Sequence, residues 1–201
     1  MSRLPEPLQN VVDRLTQLPG VGPKSALRMA MTILKWPREK GMDLGRMILE
    51  LRDSLCICGQ CNAIADADPC AICTDQRRSE EQLCIVAEWD SILVMEEAGF
   101  FRGRYFVLGG LLSPLDGVEP QNLALDKLRQ RIGQNCISEL ILALGTTHEA
   151  ESTGSYIKNI LARDFPGLSV TRLAQGIPLG SELKFIDRET LKQSLEYRQR
   201  F

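Results

Sequence analysis

Apolar positions along the chain change their spacing part-way through. Near the N-terminus, Leu8, Val11, Val12, Leu15 and Leu18 recur at three- and four-residue intervals, the stripe of one helical face. A second helical pattern starts near Lys24, with Ala26, Leu27, Ala30, Ile33 and Leu34 apolar. Pro23 suits its first turn, where the missing N–H costs nothing. From residue 83 onward short apolar runs take over: Leu83–Ala87, Tyr105–Leu108, Glu139–Leu144 and Ser169–Ala174. Helical stretches over Asp90–Ala98, Leu123–Ile132 and Glu149–Arg163 separate them. Buried runs alternating with helices predict a parallel α/β sheet with right-handed crossovers. Ligand sites in such sheets gather beyond the carboxyl ends of the strands, where Glu88, Gly109-Gly110 and the loop Gly145–Glu151 fall. In the tail, Gly176–Gly180 reads as a turn, Leu183, Phe185 and Ile186 as a short strand, and Asp187 as the N-cap of a last helix.

Between the two patterns lies a stretch with neither period, marked by cysteines. Cys58 and Cys61 form one C-x-x-C pair and Cys70 and Cys73 a second, with eight residues between them. A two-residue gap in a tight turn aims both sulfurs at one point, so two such knuckles can enclose Zn²⁺ in four thiolates. The intervening Asn62–Pro69 is too short and too polar for a core, so metal binding has to supply its folding energy. Zinc is favoured over iron as the commoner structural choice for this ligand set; two disulfides or four reduced thiols are the plainer alternatives. Cys56, Cys84 and Cys136 remain, an odd number that speaks against a secreted disulfide framework. Cys84 and Cys136 adjoin apolar runs and are expected to be buried, whereas Cys56 is a poorer ligand than Cys58 by spacing.

Charge adds a partner. The 201 residues carry a net charge of −2, but residues 1–40 hold seven basic side chains (Arg3, Arg14, Lys24, Arg28, Lys35, Arg38, Lys40) against three acidic ones. Between the two predicted helices stands Leu18-Pro-Gly-Val-Gly-Pro23, which makes a helix-hairpin-helix. Gly20 and Gly22 allow a tight turn and let backbone N–H groups approach a phosphate. The start of the second helix adds partial positive charge, and Lys24 and Arg28 lie one turn apart on its face. Nothing here presents a surface to base edges, so the expected binding to double- and single-stranded DNA is independent of sequence. An ordinary glycine-turn hairpin is the plainer reading. The N-terminus has no apolar signal region, and no stretch approaches the ~18 apolar residues of a membrane span. A cytoplasmic, nucleoid-associated protein with no membrane partner is the expectation.

In this order the motifs resemble the bacterial recombination mediator RecR family over almost the full length. The matching segments are Leu18-Pro-Gly-Val-Gly-Pro-Lys-Ser-Ala-Leu-Arg-Met-Ala30, the four cysteines with Asp68-Pro-Cys-Ala-Ile-Cys73, Arg104-Tyr-Phe-Val-Leu-Gly-Gly-Leu-Leu-Ser-Pro-Leu-Asp-Gly117, and Thr171–Leu183. The resemblance implies an α/β chain in four parts. These are a helix-hairpin-helix over 1–53, a four-cysteine zinc finger over 54–79, a Toprim domain over 80–175 and a C-terminal strand and helix over 176–201. It further implies a homo-tetrameric ring able to encircle DNA, acting with RecO and RecF to load recombinase on gapped DNA. Carried over residue by residue, DNA contact falls to Lys24 and Arg28, zinc to the four cysteines, and the Toprim acidic position to Glu88.

Catalysis is the rival reading. Toprim enzymes hold Mg²⁺ with a Glu after one strand and an Asp-x-Asp after a later one, because stabilising charge on a phosphate needs hard carboxylates. Here Glu88 is present, but the later strand runs into Gly145-Thr-Thr-His-Glu-Ala-Glu151, where most relatives carry Asn-Pro-Thr at the first three positions. Glu149 and Glu151 can join Glu88 around a weak Mg²⁺, although carboxylates at a helix start are also favoured by its dipole. A Mg²⁺-dependent nuclease or primase is therefore disfavoured, and a non-catalytic mediator is expected. His148, the one histidine, supports neither a His-based metal site nor a nucleophilic triad, and Gly109-Gly110 lacks the G-K-[ST] of a P-loop. Arg198 and Arg200 add late positive charge that can face DNA in a ring. A module that binds only proteins would have no use for the Pro19–Arg28 hairpin.

Overall fold

Pro5 opens the first helix, α1 (Glu6–Leu15), with Glu6 in its first turn and Arg14 in its last, both placed to complement the helix dipole. A computed structural model of the chain describes residues 4–134 and 136–198; Arg3 of the N-terminal basic tally and Arg200 of the late positive charge lie outside them. The chain divides into two compact units, residues 1–55 and 56–201.

In the first unit α1 packs on α2 (Pro23–Leu34) through buried Val12, Ala26 and Ala30, with Leu8, Leu15, Val21 and Leu27 around them. The small alanines let the two helices approach closely. α1 stops at Leu15, so Leu18 falls in the turn rather than on the helical stripe, and both it and Val11 are exposed. A third helix, α3 (Arg38–Glu50), was not among the expected elements: Gly41 and Gly45 interrupt it, and none of its residues is buried. Its Met42, Met47, Ile48 and Leu49 face solvent.

The second unit begins with a two-stranded antiparallel ribbon, β1 (Cys56–Ile57) and β2 (Ile64–Ala65), and a single helical turn, α4 (Ala71–Thr74). Then follow β3 (Gln82–Val86), α5 (Asp90–Ala98), β4 (Arg104–Val107), α6 (Leu125–Gly133), β5 (Glu139–Ala143), α7 (His148–Asp164), β6 (Ser169–Arg172) and α8 (Arg188–Glu196). The four long strands form one parallel sheet in the order β4-β3-β5-β6.

Strands β3, β4 and β5 alternate between two cores, whereas β6 contributes only Val170. Leu83, Ile85, Phe106, Leu108 and Leu140 pack with Leu125, Leu128 and Ile132 of α6 and Ala150, Ile157 and Leu161 of α7. Cys84, Val86, Tyr105 and Val107 pack on the opposite side with Ile92 of α5 and with the four knuckle cysteines. At the margin of that second core, Glu96 of α5 accepts hydrogen bonds from both terminal nitrogens of Arg78 and, at 2.7 Å, from the Tyr105 hydroxyl. Arg78 also donates to the Gly103 carbonyl at 3.2 Å.

Two expectations are corrected. Cys136 is exposed, because it precedes β5 in a turn instead of joining it, whereas Cys84 is buried in β3 as expected. Leu183–Phe185 is a 3-10 turn with Leu183 and Phe185 exposed, not a strand; Asp187 does cap α8, accepting from the Thr190 amide at 2.9 Å.

Candidate nucleic-acid interface and metal centre

The hairpin between α1 and α2 closes through the Val21 amide on the Leu18 carbonyl at 3.1 Å, with Gly20 at φ +76°, a left-handed conformation that suits glycine. Gly22 leads into α2 with φ −79°, and its carbonyl accepts from the Ala26 amide at 2.9 Å. No side chain caps the start of α2, so its first amides point outward unsatisfied by the chain. Gly20, Gly22, Lys24 and Arg28 are all exposed, and among the described residues no ion pair engages either cation. The four predicted DNA-contact residues thus lie together on one open surface. Uncapped amides at a twelve-residue helix start, with two free cations beyond them, form an anion-binding arrangement. Further along, the Lys40 ammonium sits 4.3 Å from the Trp36 ring centre and belongs to a cation–π contact.

The four predicted metal ligands converge. Cys58, Cys61, Cys70 and Cys73 are buried with their sulfurs all within 4.8 Å of one another, Cys61 and Cys70 at 3.5 Å. A tetrahedral zinc with ~2.3 Å Zn–S bonds holds its sulfurs roughly 3.8 Å apart, so the set fits with small adjustments. Each knuckle is shaped by its own backbone: the Asn62 amide donates to the Cys58 carbonyl at 2.9 Å, the Thr74 amide to the Cys70 carbonyl at 3.1 Å. The Gly59 amide donates to Asp68 at 2.8 Å, and the Cys70 amide to the Cys58 sulfur at 3.4 Å. Burial raises the Cys58 thiol, but the amides of Cys70, Cys61 and Gln60 outweigh it and hold the group below its ordinary value. A hydrogen bond with Cys73, then burial, pushes Cys61 far up, and burial lifts Cys70 to about 11. Thiols crowded in this way share protons poorly, and a soft divalent cation that accepts thiolates relieves the conflict.

Among the described residues the Toprim-type carboxylates form no cluster of three. Glu88 lies exposed just past β3, and Glu149 exposed in the first turn of α7. Glu149 is held below the usual carboxylate range by its own amide and then by the Thr147 hydroxyl, the signature of a helix start. Glu151 is occupied by Arg172 at 3.0 Å and by Gln175 at 3.1 Å. Among the described residues the four cysteines are the one grouping of three or more His, Cys, Asp or Glu ligand atoms. His148 is exposed at the start of α7. Sequence reasoning passed over Asn62, Arg104 and Lys127, which tie the knuckles to the sheet. Arg104 donates to the Cys73 carbonyl, and Lys127 to the Asn62 side chain at 3.0 Å. Only proximity in the fold reveals them.

A helix-hairpin-helix with exposed cations, a four-cysteine cluster and a parallel sheet of this order define a class of protein that handles nucleic acid. Comparison with known proteins places it more closely. Family models match residues 8–52 as "RecR, helix-hairpin-helix", 81–174 as "Toprim domain" and 176–199 as "RecR, C-terminal". The recombination protein RecR of Nitratidesulfovibrio vulgaris (strain Miyazaki F) is 58% identical over 199 residues, covering 99% of both chains. That of Maridesulfovibrio salexigens is 57% identical over 200 residues, with both chains covered in full. That of Alcanivorax borkumensis is 46% identical over 194 residues, covering 96% of each. The chain belongs to the RecR family of recombination proteins.

Proposed function

We propose that the chain is a non-catalytic mediator of DNA repair by recombination that grips DNA phosphates through Gly20, Gly22, Lys24 and Arg28 and reads no bases. The observation that carries this is the uncapped start of α2 with two exposed cations one turn apart. Zn²⁺ in Cys58, Cys61, Cys70 and Cys73 is structural in this reading. Glu88 and Glu149 are exposed and Glu151 is engaged by Arg172, which supports a Toprim domain that serves contact with proteins in place of Mg²⁺ chemistry. As the family resemblance implies, those partners are RecO and RecF, the product is recombinase loaded on gapped DNA, and the place is the cytoplasm beside the nucleoid.

Energetics favour several copies acting together. Two cations neutralise only a few phosphates and give weak, salt-sensitive binding, whereas a closed homo-tetramer multiplies the contacts through effective concentration. The first unit also leaves Met42, Met47, Ile48 and Leu49 exposed around a core of three buried residues, which supports burial of that surface between copies.

The test is Lys24→Ala with Arg28→Ala in a gel-shift assay on duplex and single-stranded DNA. Loss of retention is expected, with metal content and light-scattering mass unchanged. Binding at the wild-type level would place the DNA surface elsewhere. Incubating the protein with plasmid and Mg²⁺ or Mn²⁺ tests the catalytic rival, and cleavage would establish it.

A further inference from the structure

β4 lies at one margin of the sheet, and its hydrogen-bonding groups face two ways. The Leu108 amide donates inward to the Val86 carbonyl at 2.9 Å, so the Val107 amide and carbonyl, one residue earlier, face outward. Among the described residues no further strand covers them. Instead the Val107 amide donates to the Cys61 carbonyl at 2.8 Å, and the Val107 carbonyl accepts from the Asn62 side-chain amide at 3.0 Å. A metal-ligand carbonyl and one carboxamide together imitate a paired strand one residue long.

Asn62 is built for this task. Its φ of +59° turns the chain away immediately after the contact, and asparagine tolerates that conformation better than most residues. The orientation of the carboxamide is set from the other side: Lys127 of α6 donates to its Oδ1 at 3.0 Å, leaving Nδ2 for Val107. Neighbouring contacts reinforce the clamp, with Arg131 donating to Gln60 at 3.1 Å and Arg104 to the Cys73 carbonyl.

We propose that Asn62 is the latch that makes metal binding by the knuckle and protection of the β4 margin a single event, so that removing the metal uncovers Val107 as an unpaired strand edge. The inference rests on the reading of the four cysteines as a zinc site. Glycine at position 62 accepts the backbone conformation but bridges nothing. Aspartate keeps the acceptor for Lys127 but has no N–H for the Val107 carbonyl. Both substitutions cut the latch without removing a thiolate.

The test uses the full chain, following zinc release to a chromogenic chelator and deuterium uptake by the peptide containing Arg104–Leu108. Asn62→Gly and Asn62→Asp are each expected to hold zinc but release it on the order of tenfold or more faster than wild type, as loss of an outer-shell partner does at other metal sites. The β4 peptide should exchange early in both, with the β5 and β6 peptides unchanged. Lys127→Met, which leaves the loop sequence intact, should show a smaller acceleration and covers the case in which the Asn62 variants fail to fold. Chelation of the wild-type chain should deprotect β4 first. Release at the wild-type rate in all variants, or a β4 peptide that stays protected after chelation, overturns the latch alone. Purified wild type that contains no zinc and takes up none overturns the metal reading and the latch with it.

Discussion

Removing the Glu96 carboxylate tests how the segment after the knuckles is held to the sheet. Glu96 takes both terminal nitrogens of Arg78 and the hydroxyl of Tyr105; the Arg78 side chain is only 11% exposed and Tyr105 is fully buried. Glu96→Ala leaves a mostly buried cation with fewer acceptors and a buried hydroxyl with none. Breaking a buried pair from one side costs ~3–5 kcal/mol, but Glu96 is itself 31% exposed, so water recovers part and ~2 kcal/mol is the fitting share. The orphaned hydroxyl adds roughly 1 kcal/mol. About 3 kcal/mol in a chain of this size corresponds to a fall of roughly 6–12 °C in the calorimetric transition of the second unit at pH 7. The pH dependence gives a second readout. Burial raises the Glu96 carboxyl, but Arg78 and Tyr105 outweigh it and hold the group below its ordinary value. A depressed carboxylate contributes stability that is complete above its unfolded value, about 4.3, and is lost as pH falls through the lower folded value. The gap between variant and wild type should therefore shrink in acid. An unchanged transition at pH 7, or a gap as wide in acid as at pH 7, would refute the reasoning.

Four further outcomes are expected. Cys58→Ser should abolish stoichiometric zinc, measured by elemental analysis, and lower the second unit's melting temperature, because the four cysteines are part of its core. Leu128→Ala, at a fully buried position against the other sheet face, should cost ~2–5 kcal/mol in urea unfolding. Gly103→Ala should destabilise by ~1–3 kcal/mol in the same assay, since its Cβ would meet the Gln82 carbonyl at 2.7 Å. Lys24→Ala alone should weaken DNA binding alike on all sequences and lower the salt slope of log K by roughly 0.9 per lost phosphate contact.

What the sequence disclosed, it disclosed through local rules. The four parallel strands and the helices between them followed from apolar runs, because a sheet buried on both faces needs continuous hydrophobic segments such as Leu83–Val86. The cysteine cluster followed from spacing alone, since two C-x-x-C turns have few other uses, and the structure gathers those four and leaves Cys56 aside. α3 was passed over although Leu44, Met47, Ile48 and Leu51 repeat at helical spacing, because Gly41 and Gly45 weaken its propensity and the stripe stays largely exposed. Cys136 was misjudged because nearness to an apolar run says nothing about which side of a turn a residue occupies. Asn62 and Lys127 stand 65 positions apart, and no local pattern could pair them.

The two glycines of the hairpin separate what folding demands from what DNA demands. Gly20 is required by the chain itself, since few side chains tolerate its φ of +76°. Gly22 is not: at φ −79° any residue is comfortable, and a methyl group there would touch no neighbour within 4 Å. A residue that architecture leaves free to vary becomes a gauge of outside pressure. If alanine at 22 spares the melting curve yet spoils the grip on a sugar–phosphate strand, the constraint comes from the closeness of that strand and not from the hairpin.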